Sequence, residues 1–451
     1  MSALLAAGLL LRRRSALADL LPVIAFAVST AVIATVLGGT LAFAGRLPAG
    51  PVGAGASDEA SVMGLIVMFA VIACVLLVPS AVSFGGGAAR LSLARRDRDL
   101  AAMRLVGGTT GQVAGIAVLD VQGQALLGAV LGIGLHLLVT PPLTALDFGF
   151  APFTVGELLL PAWAYPLLVL GVLLVAAASA AVALTGIVLS PLGVARASRT
   201  VRMSVLRVAV WVLLVVGLFG LMQLLPIMEE TNAGLALALL VGMIGAVVAG
   251  VNVVGPFTVW LVARILAALA PWPALLVGAR RLAADPRAGW RAVAGITFAL
   301  VVAGLLMVVV TLGEPTSPAE EILITAMATG GILTLAIAAV IAAVSTGVTQ
   351  AARVIDHAPA LRAQHVAGAE VAQLHRARLL ETAIPLALSS VLATGTMLLV
   401  IVAVMGGPAT DARGALLYGG SVLAAYLLVL GAVAVSSPLV ARGARGARRT
   451  A

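Results

Sequence analysis

Two acidic side chains stand inside long apolar runs, where few roles suit a carboxylate. Asp120 lies seven residues into a run over 113–140, with Gln124 four positions later, and Glu381 lies near the start of another run. An ionised acid deep in a membrane costs roughly 2.5–3.5 kcal/mol on insertion scales. We therefore expect Asp120 to face the interior of a helical bundle, as a structural tether or a proton relay. Arg378, three residues before Glu381, is placed to pair with it.

Other catalytic chemistry is hard to build from this chain. It has no lysine, so it cannot form the Gly-Lys-Ser/Thr phosphate loop of an ATPase. His357, His365 and His375 share one segment, but without cysteines or the tight spacing of a metal site. No Ser/His/Asp set or paired carboxylates stand out. The sequence thus predicts no enzyme, and no metal or cofactor held by this chain.

The elements that position these residues are predicted membrane spans. The chain is 62% hydrophobic and 10% charged, whereas soluble proteins are nearer half apolar and a quarter charged. Apolar runs of eighteen or more residues predict spanning helices. We predict an all-α polytopic membrane protein with about ten spans. They lie at 20–43, 62–84, 113–140, 162–189, 205–226, 235–263, 291–312, 324–346, 379–406 and 415–438.

The distribution of arginine predicts the orientation. With the N-terminus in the cytoplasm, all but Arg46 and Arg413 of the 27 arginines fall on the inner side, as the positive-inside rule requires. This pattern favours a plasma or inner membrane protein with both termini cytoplasmic, and it argues against nucleic-acid binding. Residues 1–19 are expected to form an amphipathic helix on the inner surface, and 441–451 an arginine-rich tail. Residues 235–270 could form one span or a broken pair.

An internal repeat relates two polar segments at an offset of 261 residues. Gly107 falls on Gly368 and Asp120 on Glu381, and the flanking spans align as well. Duplication predicts two related halves around a shared interface. The predicted organisation is a first module at 20–190, a two-span linker at 191–290 and a second module at 291–440.

The repeated pattern resembles a known family. A basic helix, an Arg, an apolar pair, a Gly and a Thr are followed by a Gln and an acid inside the next helix. This order is similar to the signature of the FtsX-like permease family, the membrane subunits of MacB-type ABC transporters. The large extracellular domains that many members carry have no room in the short outer loops here. The matching residues are Arg98, Asp99, Leu100, Arg104, Leu105, Gly107, Thr109, Gln112, Val113 and Asp120.

The resemblance implies a docking role for the two polar segments. In the family a short cytoplasmic coupling helix docks on the ATPase, which places that helix here at 91–106 and, in the second copy, at 353–367. Leu93, Leu100 and Met103 would give its apolar side, and Gly107 would end it. The predicted coupling residues are Arg95, Arg96, Arg98, Asp99, Leu100, Met103, Arg104 and Gly107, with Arg362, His365 and Gly368 in the second copy.

The implied function is that of a permease working with a separate cytoplasmic ABC ATPase, in two copies, which would bind ATP and Mg²⁺. Export, extraction of a molecule from the membrane and mechanical signalling are the expected modes, with membrane lipid in contact. An ion-coupled secondary transporter centred on Asp120, and a sensor subunit that transports nothing, remain alternatives.

Overall fold

The computed structural model describes residues 16–47, 58–95, 102–103, 105–188, 205–291, 293–310, 317–356, 363, 366–368, 370–405 and 412–435. Among these residues the chain is helical and has no β-strand, which confirms the all-α class. The expected N-terminal amphipathic helix falls almost wholly outside the described residues, and the 441–451 tail entirely so. The helices are α1 Ala16–Gly45, α2 Asp58–Arg95, α3 Thr110–Leu143, α4 Val155–Leu158, α5 Ala164–Val188, α6 Val205–Leu269, α7 Pro273–Ala284, α8 Pro286–Arg291, α9 Ala294–Val310, α10 Pro318–Asp356, α11 Val371–Met405 and α12 Ala412–Val435.

Seven segments in the described part of the chain are long and apolar enough to cross a bilayer. They lie in α1, α3, α5, both halves of α6, α10 and α11, while α2 and α12 contain shorter apolar stretches, Ser61–Val71 and Tyr418–Gly431. The protein is therefore a multi-pass helical membrane protein.

Helix α6 folds back on itself. The indole Nε1 of Trp211 donates a hydrogen bond to the carbonyl of Val247 at 3.0 Å, and the Trp211 ring lies against Gly250. On a straight helix, residues 36 positions apart would be roughly 54 Å apart at 1.5 Å per residue. The two halves therefore form an antiparallel pair. The second half runs as a continuous helix through Pro256 to Leu269. Of the two alternatives for residues 235–270, the structure therefore shows one helix and not a broken pair.

Two groups of four helices form the rest of the bundle. In the first module, α1 contacts α2, α3 and α5; in the second module, α9 contacts α10, α11 and α12. Each module is thus built around its first helix. The modules meet through α10, which packs on α1 and α2, and a core cluster from both modules includes Ile33, Leu77, Ala299 and Ile341. Helices α6 to α8 pack on one another and on the second module.

Glycines bring α3 close to α1. Gly128 and Gly132 are one helical turn apart on α3, and both face the backbone of α1. A Cβ at Gly132 would lie 2.5 Å from the Ala27 carbonyl oxygen and 2.7 Å from Cβ of Thr30. Because two glycines with this spacing let helix backbones approach closely in a membrane, this pair fixes the position of α3 in the first module.

Candidate functional site

The ends of α2 and α10 define one face of the bundle. Both helices begin beside the segment between α3 and α5, because Ile66 of α2 and Ala326 of α10 pack with Phe148 in one cluster. Both helices must therefore end on the opposite side. We call that side the turn face, and it contains the two glycines that the repeat aligns.

The first turn, residues 105–109, ends in a glycine stop. Gly107 has φ of +101°, and the amide of Gly108 donates to the carbonyl of Met103 at 3.0 Å. This six-to-one bond, with a left-handed glycine before it, is the Schellman pattern of a helix C-terminus. Thr109 then caps α3, because its side chain accepts from the Gln112 amide while the Gln112 side chain bonds the Thr109 amide. The turn is thus fixed rigidly to α3.

The second turn, around Gly368, shares the glycine conformation of the first. Gly368 has φ of +99°, and the amide of Ala367 donates to the carbonyl of Ala363 at 2.9 Å. A Cβ added at Gly107 or at Gly368 would meet nothing within 4 Å. The glycines are therefore required by backbone conformation and not by lack of space.

The two turns present apolar side chains to the outside. Leu105 and Val106 are each 90% exposed, and Val366, at the offset of Leu105, is 81% exposed. Leu93 is fully buried in the core of the first module, so the prediction that it gives a docking helix its apolar side is wrong. Met103 is half-buried and packs on the same core. The outward apolar residues are therefore those of the turn itself.

The polar part of the predicted site lies mostly outside the described residues. Arg95 ends α2, which runs on from the predicted span into the first residues of the predicted coupling helix without a break. In the second copy, α10 similarly extends to Asp356. The predicted residues outside the described range are Arg96, Arg98, Asp99, Leu100, Arg104, Arg362 and His365.

The two acids within the apolar helices have identified neighbours. Asp120 is half-buried on α3, and the Gln124 side-chain amide donates to its carboxylate at 3.3 Å. The carboxylate of Glu381 lies 3.9 Å from a guanidinium nitrogen of Arg281, which is on α7, one hundred positions earlier. The sequence offered only the nearby Arg378 as a partner. Among the described residues, no three His, Cys, Asp or Glu side chains come together as a metal site would need.

An aromatic cap closes the face opposite the turns. It is centred on Phe43 at the end of α1, whose ring meets those of Phe148 and Phe153 edge-on at 5.1 and 5.0 Å. The Arg46 guanidinium lies 4.0 Å from the centre of the Phe153 ring, a cation–π contact. Phe150 completes the cluster, with its ring 5.7 Å from Phe153.

One ion pair ties the aromatic cap to α1. Arg46 donates from Nε and Nη2 to the two carboxylate oxygens of Glu157 at 2.9 and 3.0 Å, and Nη2 also donates to the Pro152 carbonyl at 2.9 Å. The Arg46 side chain, with further hydrogen bonds from Thr154, lowers the pKa of Glu157 to about 2. The Thr154-x-x-Glu157 capping box was readable in the sequence; its partner Arg46, 111 residues away, was not.

The aromatic cap also reaches the second module. Thr329 of α10 donates its hydroxyl to the carbonyl of Asp147 at 2.6 Å. Gly149, with φ of +81°, lies against Ile322, since a Cβ there would sit 3.1 Å from the Ile322 Cα. The connection between α3 and α5 thus bridges the two modules at this face.

Comparison of the sequence with protein-family models and with curated proteins gives no match. The features that bear on function are therefore the two turns and the packed helices between them and the aromatic cap.

Proposed function

We propose that this protein is the membrane subunit of an ABC transporter of the FtsX-like type. In this proposal the turn face is cytoplasmic and binds an ATPase made of separate chains, one copy at each turn. The observation that supports it best is the pair of turns. They lie on one face, and each has a glycine with positive φ two residues after an exposed apolar side chain. Partner interfaces commonly bury exposed apolar side chains of this kind.

The position of the turns would allow them to transmit movement into the membrane helices. Thr109 caps α3 without an intervening loop, so a movement of the first turn passes directly into α3. The Gly128–Gly132 contact holds α3 on α1, and Arg46 holds the end of α1 to the aromatic cap. Elements packed this closely move as rigid bodies, and a push at the turn face would reach the cap 34 helical residues away.

The ATPase would supply what this chain lacks. With no lysine in the sequence, ATP and Mg²⁺ would bind on the partner, and closure of its two copies would move the two turns together. The result would be export, removal of a molecule from the membrane, or transmission of a mechanical signal. The same proposal places the protein in a plasma or inner membrane, with both termini in the cytoplasm.

The test is co-purification. The tagged protein is isolated from its native membrane in mild detergent, and an accompanying ATPase is identified by mass spectrometry and by ATP hydrolysis. The double variant Leu105→Ser/Val106→Ser should lose most of the ATPase, because it removes both exposed apolar side chains of the first turn. Gly111→Ser is the matched control, since Gly111 is exposed near the same turn with open space around it.

Two outcomes would count against the proposal. If no ATPase accompanies the folded wild-type protein, the ABC assignment is wrong and the ion-coupled alternative gains weight. That alternative requires the carboxylate, so Asp120→Asn should abolish transport while the turn variant leaves it intact. An ATPase retained equally by the double variant and by the control would place docking somewhere other than the first turn.

A further inference from the structure

A cavity of about 370 Å³ lies within the second module. Three helices line it: Ala299 and Leu300 of α9, Ala339 and Ala343 of α10, and Leu416 and Gly420 of α12. Its volume is in the range of small-molecule sites, but its wall is almost entirely hydrocarbon. Ser421 is the one lining residue with a side-chain polar atom. A water molecule needs two to four polar partners, so this cavity suits an apolar occupant.

The cavity opens along α12. Leu416 is 76% exposed, and Gly420 and Ala424, at successive helical turns, are exposed too. All three also line the cavity. Helix α12 has the shorter apolar stretch Tyr418–Gly431 and packs on α10 and α11, which are long enough to cross a membrane. Its exposed apolar side is therefore expected to face lipid. The cavity is therefore reached from within the bilayer and not from water.

The two modules differ in the segment between their last two helices. In the first module Leu158 of α4, within the segment 144–163, packs closely on α1, since a Cβ on Gly38 would overlap the Leu158 carbonyl oxygen. In the second module six residues, 406–411, link the corresponding helices. This shorter connection has too few residues to fold over its module in the same way.

We propose that this cavity binds one hydrocarbon chain of a bilayer phospholipid. A lipid tail matches the apolar lining, and it is the one apolar molecule always present at the exposed side of α12. Inside, the tail gains close contacts with the wall that an empty space cannot offer. The head group remains outside, beside α12. Binding of the tail here requires no ATPase partner.

The proposal can be tested by photo-crosslinking in nanodiscs. The full-length protein is reconstituted with a phospholipid that carries a diazirine in one acyl chain, irradiated, and mapped by peptide mass spectrometry. We expect adducts on cavity residues such as Ala339 and Ala343 to exceed those on Leu423 and Leu427, which are exposed but outside the lining, by at least fivefold. Gly420→Phe should reduce the cavity adducts to the level of those two leucines.

Gly419→Phe is the matched control. Gly419 is the next residue on α12, equally exposed, and an added Cβ there also meets open space, yet it does not line the cavity. It should leave the cavity adducts unchanged. A second arm uses a free diazirine fatty acid in the same nanodiscs, and labelling of the cavity by the fatty acid alone would overturn the phospholipid assignment.

The wild-type adduct map decides the proposal even if Gly420→Phe fails to fold, which a thermal melt would reveal. Adducts spread evenly over all exposed faces would mean that the lipid is only annular and would overturn it. Adducts in a folded Gly420→Phe protein equal to those of Gly419→Phe would overturn it too.

Discussion

The two modules share a frame and differ in what connects their last two helices. Each is built around its first helix, and each has a left-handed glycine at the corresponding turn, Gly107 or Gly368. The connection between α3 and α5, residues 144–163, contains α4 and most of the aromatic cap. The connection between α11 and α12 is only residues 406–411. The first module therefore carries a folded segment at that end, whereas a cavity lies beside α12 in the second module.

The modules differ again where their helices cross. Gly128 and Gly132 of α3 correspond, at the offset of 261, to Ser389 and Ala393 of α11, both fully buried. Small residues one turn apart are thus present in both modules, as membrane helix contacts favour. In the first module, however, both positions are glycines, which have no side chain. The first module is thus the more closely packed half at this crossing, and four sets of substitutions test how far the two modules differ.

The largest effect is expected from giving α3 the residue that α11 already has. Gly132→Ala places a Cβ 2.5 Å from the Ala27 carbonyl oxygen, which forces α1 and α3 apart. Overpacking of this kind costs about 1–3 kcal/mol, so the unfolding temperature in detergent should fall. Gly134→Ala, with open space around it, should instead stabilise the helix by up to about 1 kcal/mol. Equal melting temperatures for the two variants would refute the tight crossing.

The two turn glycines should respond alike. Alanine at Gly107 or Gly368 must adopt a positive φ, at a cost of about 1–2 kcal/mol, and the turn should open more often. Hydrogen exchange of the turn amides should accelerate by a similar factor in both modules. Gly111→Ala is the control without a positive φ. A response confined to one turn would break the equivalence of the modules.

The aromatic cap should depend on the Arg46–Glu157 pair. Glu157→Gln removes the ion pair and should speed exchange of the amides at 149–158 while leaving the second module unchanged. The pKa of Glu157 is lowered from 4.5 to about 2. The stabilisation is therefore complete above about pH 4.5 and is lost as the pH falls towards 2. A cap that loosens between pH 7 and pH 5 in the wild type would contradict this.

The smallest effect concerns the link between modules. Thr329→Val removes the hydroxyl that donates to the Asp147 carbonyl, a hydrogen bond worth about 0.5–1.5 kcal/mol. Exchange at Asp147 to Gly149 should increase slightly. Thr334→Val is the matched control, because the Thr334 hydroxyl donates to the carbonyl of Gly330 within α10. If Thr334→Val increases exchange in the cap as much as Thr329→Val does, the Thr329–Asp147 hydrogen bond is not what holds the cap to α10.

The sequence predicted the features that depend on local pattern. Apolar runs located the helices, and the Gly107 stop was expected because a left-handed residue after a basic helix favours glycine. The aromatic cap was not expected, since Arg46 meets Glu157 only after 111 residues of chain have folded. For the same reason the sequence suggested only Arg378, on the same helix, as a partner of Glu381, and could not suggest Arg281, which lies 3.9 Å from it in the structure. The two halves of α6 lie where hydropathy predicted two separate helices, at 205–226 and 235–263.

The attachment of α6 to α8 has a consequence for assembly. These helices pack on the second module, so the chain passes from one half of the protein to the other once, through residues 189–204. Among the residues that the structure describes, the halves also meet in the shared core around α10, at the Gly149–Ile322 contact and through the hydrogen bond from Thr329. The protein is in effect a heterodimer on a single polypeptide. A gene divided at this point would encode two unequal subunits, and their fusion guarantees a one-to-one stoichiometry that separate translation would have to regulate.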